Sequence, residues 1–356
     1  MHKKSRKLLL LLLAMAIGVP SMLTFTGCSG KEKAEESGDI VSYITPDAVA
    51  AGVFHPKRVL ENPDLSFLPI KDMVKEAVED SGINPKDVEL AVITLQSLPD
   101  SKPGSQPKGG IVLRMAKPYT LDDLKGNMAK HAEKSTYKGR PSLVSKHDKD
   151  SIIYMPDDHT LILATSSVLD AMVANHKDPK KGPVRELIDS IDPSSDAAFV
   201  VDIKPLRSQM KSMPQSDKTP EDLKRLLNLV DFVRLQGKAL DNPLLTVDLV
   251  TGNAKDAKEV KDTTKSLIEF AKGFLALALM QGPGGNQDAM QQMQELSDIL
   301  ENNLKTTVDG NTATLTLTLP REKQIEILKK AKENAMAPPK RRRPAPADFN
   351  FKTTTD

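Results

Sequence analysis

The stretch Asp47-Ala48-Val49-Ala50-Ala51-Gly52-Val53-Phe54-His55-Pro56-Lys57-Arg58 aligns without gaps on Asp196-Ala197-Ala198-Phe199-Val200-Val201-Asp202-Ile203-Lys204-Pro205-Leu206-Arg207, a shift of 149 positions from 47 to 196. Asp, Ala, Pro and Arg coincide. Each copy reads as a buried strand, opened by an acidic turn residue and closed by a proline that has no N–H for a sheet ladder. A second occurrence of one strand in one chain predicts an internal duplication.

Element order outward from each copy agrees with that. After the first, Leu68 to Asp80 spaces Ile70, Met73, Val74, Ala77 and Val78 as one apolar helical stripe, with Gly82 as its stop. After the second, Thr219-Pro220-Glu221-Asp222 supplies an N-cap, a first-turn proline and early acid ahead of Leu223, Leu226, Leu227 and Val230. Paired strands follow both helices: Val88 to Gln96 with Gly110 to Lys117, and Phe232 to Leu240 with Leu244 to Thr251. Each half then turns helical, over Thr120 to Glu133 and over Asp256 to Gln281. Each closes with hairpin strands and a helix. In the first half these are Ser151 to Met155, Thr160 to Thr165 and a helix from Val168. In the second they are Lys305 to Val308, an Asp309-Gly310 turn that favours a tight hairpin, Thr312 to Leu319, and Arg321 to Asn334.

The fold expected is α+β, two tandem related domains with antiparallel sheets flanked by helices, at 43–192 and 193–336. The second carries an inserted helical hairpin in which Gly282-Pro283-Gly284-Gly285 leads to a further helix, Gln287 to Leu304. A polar tether at 28–42 precedes them, and a disordered, Pro-rich basic tail at 337–356 follows.

The amino terminus has its own logic. His2, Lys3, Lys4, Arg6 and Lys7 precede an unbroken Leu8 to Leu13 run that continues through Ile17, and small residues follow at Thr26 and Gly27. This is the pattern of a secretory signal over 1–27. Gly18, Val19, Pro20 and Ser21 interrupt the run short of the roughly 20 apolar residues needed to span a bilayer. The chain's one cysteine, Cys28, stands directly after it. Leu23-Thr24-Phe25-Thr26-Gly27-Cys28 resembles the lipobox of bacterial lipoproteins, with Phe25 where leucine is usual. That resemblance implies diacylglyceryl attachment to the Cys28 sulfur, cleavage before it and acylation of the new amine. It assigns no activity. It implies a lipid-anchored protein of the cell envelope, facing the periplasm or exterior. Ser29 stands where aspartate would signal inner-membrane retention, so the outer membrane is favoured where two membranes exist.

Removing Lys3, Lys4, Arg6 and Lys7 from the 50 basic residues leaves 46 against 48 acidic ones, a mature balance of −2. The body is mildly acidic, Trp is absent and aromatics make up 4%. Nucleic acid is therefore excluded as a partner, because it calls for a basic face with stacking platforms. The basic residues Lys340, Arg341, Arg342 and Arg343 form one cluster among prolines. They suit an anionic surface, lipid head groups or a wall polymer, at about 1 kcal/mol per charge near that surface.

For chemistry, the densest acid and imidazole cluster is His147-Asp148-Lys149-Asp150 with Asp157-Asp158-His159. His147, Asp148, Asp158 and His159 are ordinary metal-ligand types. If Ser151 to Met155 is a strand, however, the two groups lie about 17 Å apart at roughly 3.3 Å per residue, and solvated hairpin ends account for them. Ser166 and Ser167 read as a helix cap. No Gly-x-Ser-x-Gly elbow occurs, and Gly282-Pro283-Gly284-Gly285 lacks the Lys-Ser or Lys-Thr of a phosphate loop. No catalytic residue and no cofactor is expected. The role expected is non-catalytic binding or scaffolding of an envelope protein or anionic polymer. The alternative is a hydrolase or metal-dependent enzyme with a site assembled from separated residues such as Asp148, Asp158 and His159.

Overall fold

The computed structural model describes residues 40–68, 70–97, 108–212, 221–263, 299 and 302–336. Cys28, the leader, the basic tail, the Thr219-Pro220 cap and most of the helical hairpin expected in the second half lie outside these residues. Residues ahead of the expected start at Tyr43 are already packed: a 3-10 turn, Ile40–Tyr43, buries Ile40, Ser42 and Tyr43.

The fold is α+β. Its strands are β1 Ala50–Phe54, β2 Val88–Ser97, β3 Lys108–Met115, β4 Ala132–Tyr137, β5 Arg140–Ser145, β6 Ser151–Tyr154, β7 Thr160–Thr165, β8 Ala197–Asp202, β9 Val230–Gly237, β10 Leu245–Thr251, β11 Leu304–Asp309 and β12 Thr312–Leu317. They form one 12-stranded sheet in the order β11-β12-β10-β9-β8-β1-β2-β3-β7-β6-β5-β4. Every neighbouring pair is antiparallel. The helices are α1 Pro56–Leu60, α2 Ile70–Ser81, α3 Asn127–Lys130, α4 Ser166–Lys177, α5 Pro183–Asp189, α6 Ile203–Ser212, α7 Glu221–Leu229, α8 Ala254–Asp262 and α9 Arg321–Met336.

The two similar sequence stretches meet at the centre of this sheet. β1 pairs with β8, and Ala51 sits opposite Val200, which is its own counterpart under the 149-residue shift. Ala50 faces Val201 and Gly52 faces Phe199, two pairs that exchange under the same shift. A local two-fold axis therefore passes between Ala51 and Val200. Read outward from it, one side runs β1-β2-β3-β7-β6 and the other β8-β9-β10-β12-β11, with β5 and β4 added to the first.

Both faces of the first half are covered. Val92, Val112, Ile162 and Ala164 pack beneath Val168, Leu169 and Met172 of α4, Val184 and Ile188 of α5, and the Ile40–Tyr43 turn. On the reverse, Ala91, Leu113, Leu161, Ile153 and Leu143 meet Ile83, Tyr119 and Leu124. In the second half, Leu249, Ala313 and Leu315 lie against Ile203, Leu226 and Val260, drawn from α6, α7 and α8. Leu328 of α9 closes a fourth cluster with Val59, Leu65, Ala239 and Leu240.

Local differences from expectation have local causes. The helix expected over Thr120 to Glu133 shrinks to a 3-10 turn at Leu121–Asp123 and the four-residue α3. Residues from Ala132 instead enter the β4–β5 hairpin, because Lys138 and Gly139 both adopt positive φ (50° and 79°), the signature of a tight primed turn. The prolines expected to end the repeated strands sit in the first turns of α1 and α6, where a missing N–H costs no helical bond. The last hairpin turns at Gly310-Asn311, one residue beyond the expected position, since Asp309 pairs with Thr312.

Candidate functional site

The structure divides the acid and imidazole cluster between the two ends of β6. At one end, Asp148 Oδ1 accepts from the Asp150 amide at 3.2 Å and Oδ2 from the Ser151 hydroxyl at 2.8 Å, while Ser145 Oγ accepts from the amides of His147 and Asp148. At the other, Asp157 Oδ1 accepts from the His159 amide at 2.8 Å, and His159 Nδ1 lies 2.9 Å from the Met115 carbonyl, to which it donates. The Asp158 carbonyl accepts from the Tyr119 amide at 2.7 Å. These are turn-closing roles. Among the described residues, no group of three or more His, Cys, Asp or Glu is placed to hold a metal. Ser166 and Ser167 are not the cap expected: Thr165 is the N-cap, and Ser166, the first residue of α4, donates its amide and hydroxyl to Asp150.

Two polar centres were not visible in the sequence. The first ties the halves together beside the two-fold axis. The His55 amide donates to the Asp196 carbonyl at 3.0 Å, and Asp196 Oδ2 accepts from the Ala239 amide at 3.0 Å. Arg58 donates to the Ser195 carbonyl at 3.2 Å and stands 3.8 Å from Asp196 Oδ1. Burial pushes the Asp196 carboxyl above its ordinary range. It also lowers His55 to about 4, with the Arg58 charge adding to the effect. His55 Nδ1 is buried and unpartnered among the described residues. Lys204, which occupies the matching place in the second copy, is exposed. Arg207, the counterpart of Arg58, turns inward within its own half, to the Leu227 and Val230 carbonyls and to Asp231 at 3.1 Å.

The second centre is a row across the sheet. Arg234 of β9 holds Asp248 Oδ2 with Nε and Nη2, both at 2.7 Å, and donates from Nη1 to Ser190 Oγ at 2.5 Å. Thr314 of β12 donates to Asp248 Oδ1 at 2.6 Å. Asp248 is only 3% exposed. Strand register places Thr94, Gly110 and Ala164 at the corresponding points of the first half. There α4 comes so close that a Cβ on Gly110 would lie 2.6 Å from Met172 Sδ. One half thus presents a strip of small, uncharged residues beneath a helix, and the other a charged strip on the same face. Both Asp248 oxygens are taken by partners, which suits locking strand register and not proton transfer.

His131 was likewise missed. The β4–β5 hairpin brings its Nδ1 to 3.2 Å from His147 Nε2. The Lys138-Gly139 turn, which begins seven residues after His131, was the signal that could have found it.

Among the described residues, no helix is long and apolar enough to cross a membrane. No family model matches the chain, and no curated protein matches it. Similar solved structures include crystal forms I, III and IV of TP0453, at 12%, 13% and 10% identity. Each has a TM-score of 0.43, covering 83%, 83% and 82% of this chain and 98%, 100% and 97% of theirs.

Proposed function

We propose that this chain is an exported, lipid-anchored protein of the cell envelope whose body has a non-catalytic binding or scaffolding role. The observation that carries the anchor is Cys28, the only cysteine, at the seam between apolar leader and polar chain. Three acyl chains there would hold the protein firmly, since one chain binds marginally and two suffice. Ile40 is part of the packed body, so the chain between it and Cys28 holds that body within about 40 Å of the bilayer at roughly 3.6 Å per residue. Ser29 favours the outer membrane in a cell that has two. The non-catalytic role is supported by Asp148, Asp158 and His159, which stand at opposite ends of one strand with the Asp148 carboxylate and the His159 ring engaged in turn and hairpin contacts. The partner is an envelope protein or an anionic polymer, with Lys340, Arg341, Arg342 and Arg343 as the contact for the latter.

Mass spectrometry of the native protein tests the anchor. The amino-terminal peptide should begin at a triacylated Cys28, and Cys28→Ser should move the protein from the membrane to the soluble fraction. An intact leader or an unmodified thiol overturns the reading. For the tail, truncation after Ala337 should weaken binding to phosphatidylglycerol vesicles, and unchanged binding removes that contact.

A further inference from the structure

We propose that His131 and His147 form a surface chelate for a borderline divalent transition ion, of the Zn2+, Ni2+ or Cu2+ class. His131 ends α3, and His147 follows β5. The β4–β5 hairpin fixes both backbones: Tyr137 pairs with Arg140 at the turn, Ala132 pairs with Ser145 at the open end, and the Lys146 amide donates to the His131 carbonyl at 2.8 Å. The His147 amide is held by Ser145 Oγ at 3.3 Å. Both imidazoles are exposed. Their rings stand 5.1 Å apart between centroids and 45° from parallel, with His131 Nδ1 and His147 Nε2 separated by 3.2 Å.

That separation is the decisive quantity. Two nitrogens each about 2.0–2.1 Å from a tetrahedral ion lie about 3.3 Å from each other. Side-chain rotations that turn both lone pairs toward one cation would therefore put it in place of the contact the two nitrogens now make. Imidazole favours zinc, copper and nickel, whereas calcium and magnesium require oxygen donors. Among the described residues, no group of three or more His, Cys, Asp or Glu is placed to hold a metal, so the remaining coordination positions fall to water and the site stays open. Cu2+ should bind more tightly than Zn2+, following the general order for nitrogen sites.

The test is calorimetric titration of the full chain carrying Cys28→Ser, in detergent, so that the lone thiol does not compete. ZnCl2 and CuCl2 should each reveal one site, while CaCl2 and MgCl2 give no heat of binding. His131→Ala and His147→Ala should each weaken the site at least tenfold, and His159→Ala should leave it unchanged. Because both side chains are exposed, the variants should keep the wild-type thermal midpoint. Histidine side-chain 15N resonances give a second readout, with Zn2+ moving His131 Nδ1 and His147 Nε2. Absence of a zinc site, its persistence in both alanine variants, or shifts confined to other histidines overturns the proposal.

Discussion

At the residue scale, His55 makes the junction of the halves sensitive to acid. Its imidazole is neutral in the fold, lowered from 6.5 to about 4, first by burial and then by Arg58. The unfolded chain takes up the proton near pH 6.5 and the folded chain resists it, so stability is complete above that value and falls as pH drops toward 4. Between pH 7 and pH 5 the loss should be about 2 kcal/mol, read from urea midpoints. His55→Leu should flatten the slope. The neighbouring Asp196 carboxyl, raised by burial, acts in the opposite sense at lower pH, which is why the comparison stops at 5. A wild-type midpoint that does not move over this range would refute the assignment. Nothing near His55 in sequence announces any of this: Asp196 and Ser195 reach it only because β1 and β8 pair.

Among the elements, the row Ser190, Arg234, Asp248, Thr314 invites a double substitution. Arg234→Met leaves the Asp248 carboxylate buried without its cation, at a cost of about 3–5 kcal/mol. Adding Asp248→Leu should restore most of that loss, since an apolar pair of similar volume replaces an ion pair with little penalty. Denaturant unfolding of the two single variants and the double variant measures the coupling, and strict additivity would show that Arg234 and Asp248 are not coupled. The strands of this row were legible from alternation, turn residues and the repeated stretch. The row itself was not, because Asp248 lies 14 residues from Arg234 and 66 from Thr314, and strand order decides which meet. The β4–β5 hairpin escaped for a different reason. β4 is exposed or half-buried along its whole length, so it has no hydrophobic period, and Lys-Gly is a weaker turn signal than Asn-Gly or Asp-Gly.

Taken as one molecule, the chain has a continuous sheet whose middle is the contact between residues 149 positions apart. The repeated stretch made the two-part plan readable, yet the meeting of the copies could not be read from it, since similarity says nothing of adjacency. One sheet predicts one unfolding transition. All four tyrosines, Tyr43, Tyr119, Tyr137 and Tyr154, lie in the first half, and tryptophan is absent. Tyrosine fluorescence thus reports that half alone, while far-ultraviolet circular dichroism reports both, and the two denaturation curves should coincide. A tyrosine transition displaced from the dichroism would mean that the halves melt separately. The same central pairing governs how the polypeptide is made. While the chain emerges from its amino end, the outer rim of β1 stands bare until some 140 further residues have followed, and a naked rim of that kind invites intermolecular stacking. A holdase that shields Ala50 to Phe54 during synthesis, or slow assembly dominated by this long closure, is what such an arrangement asks of the cell.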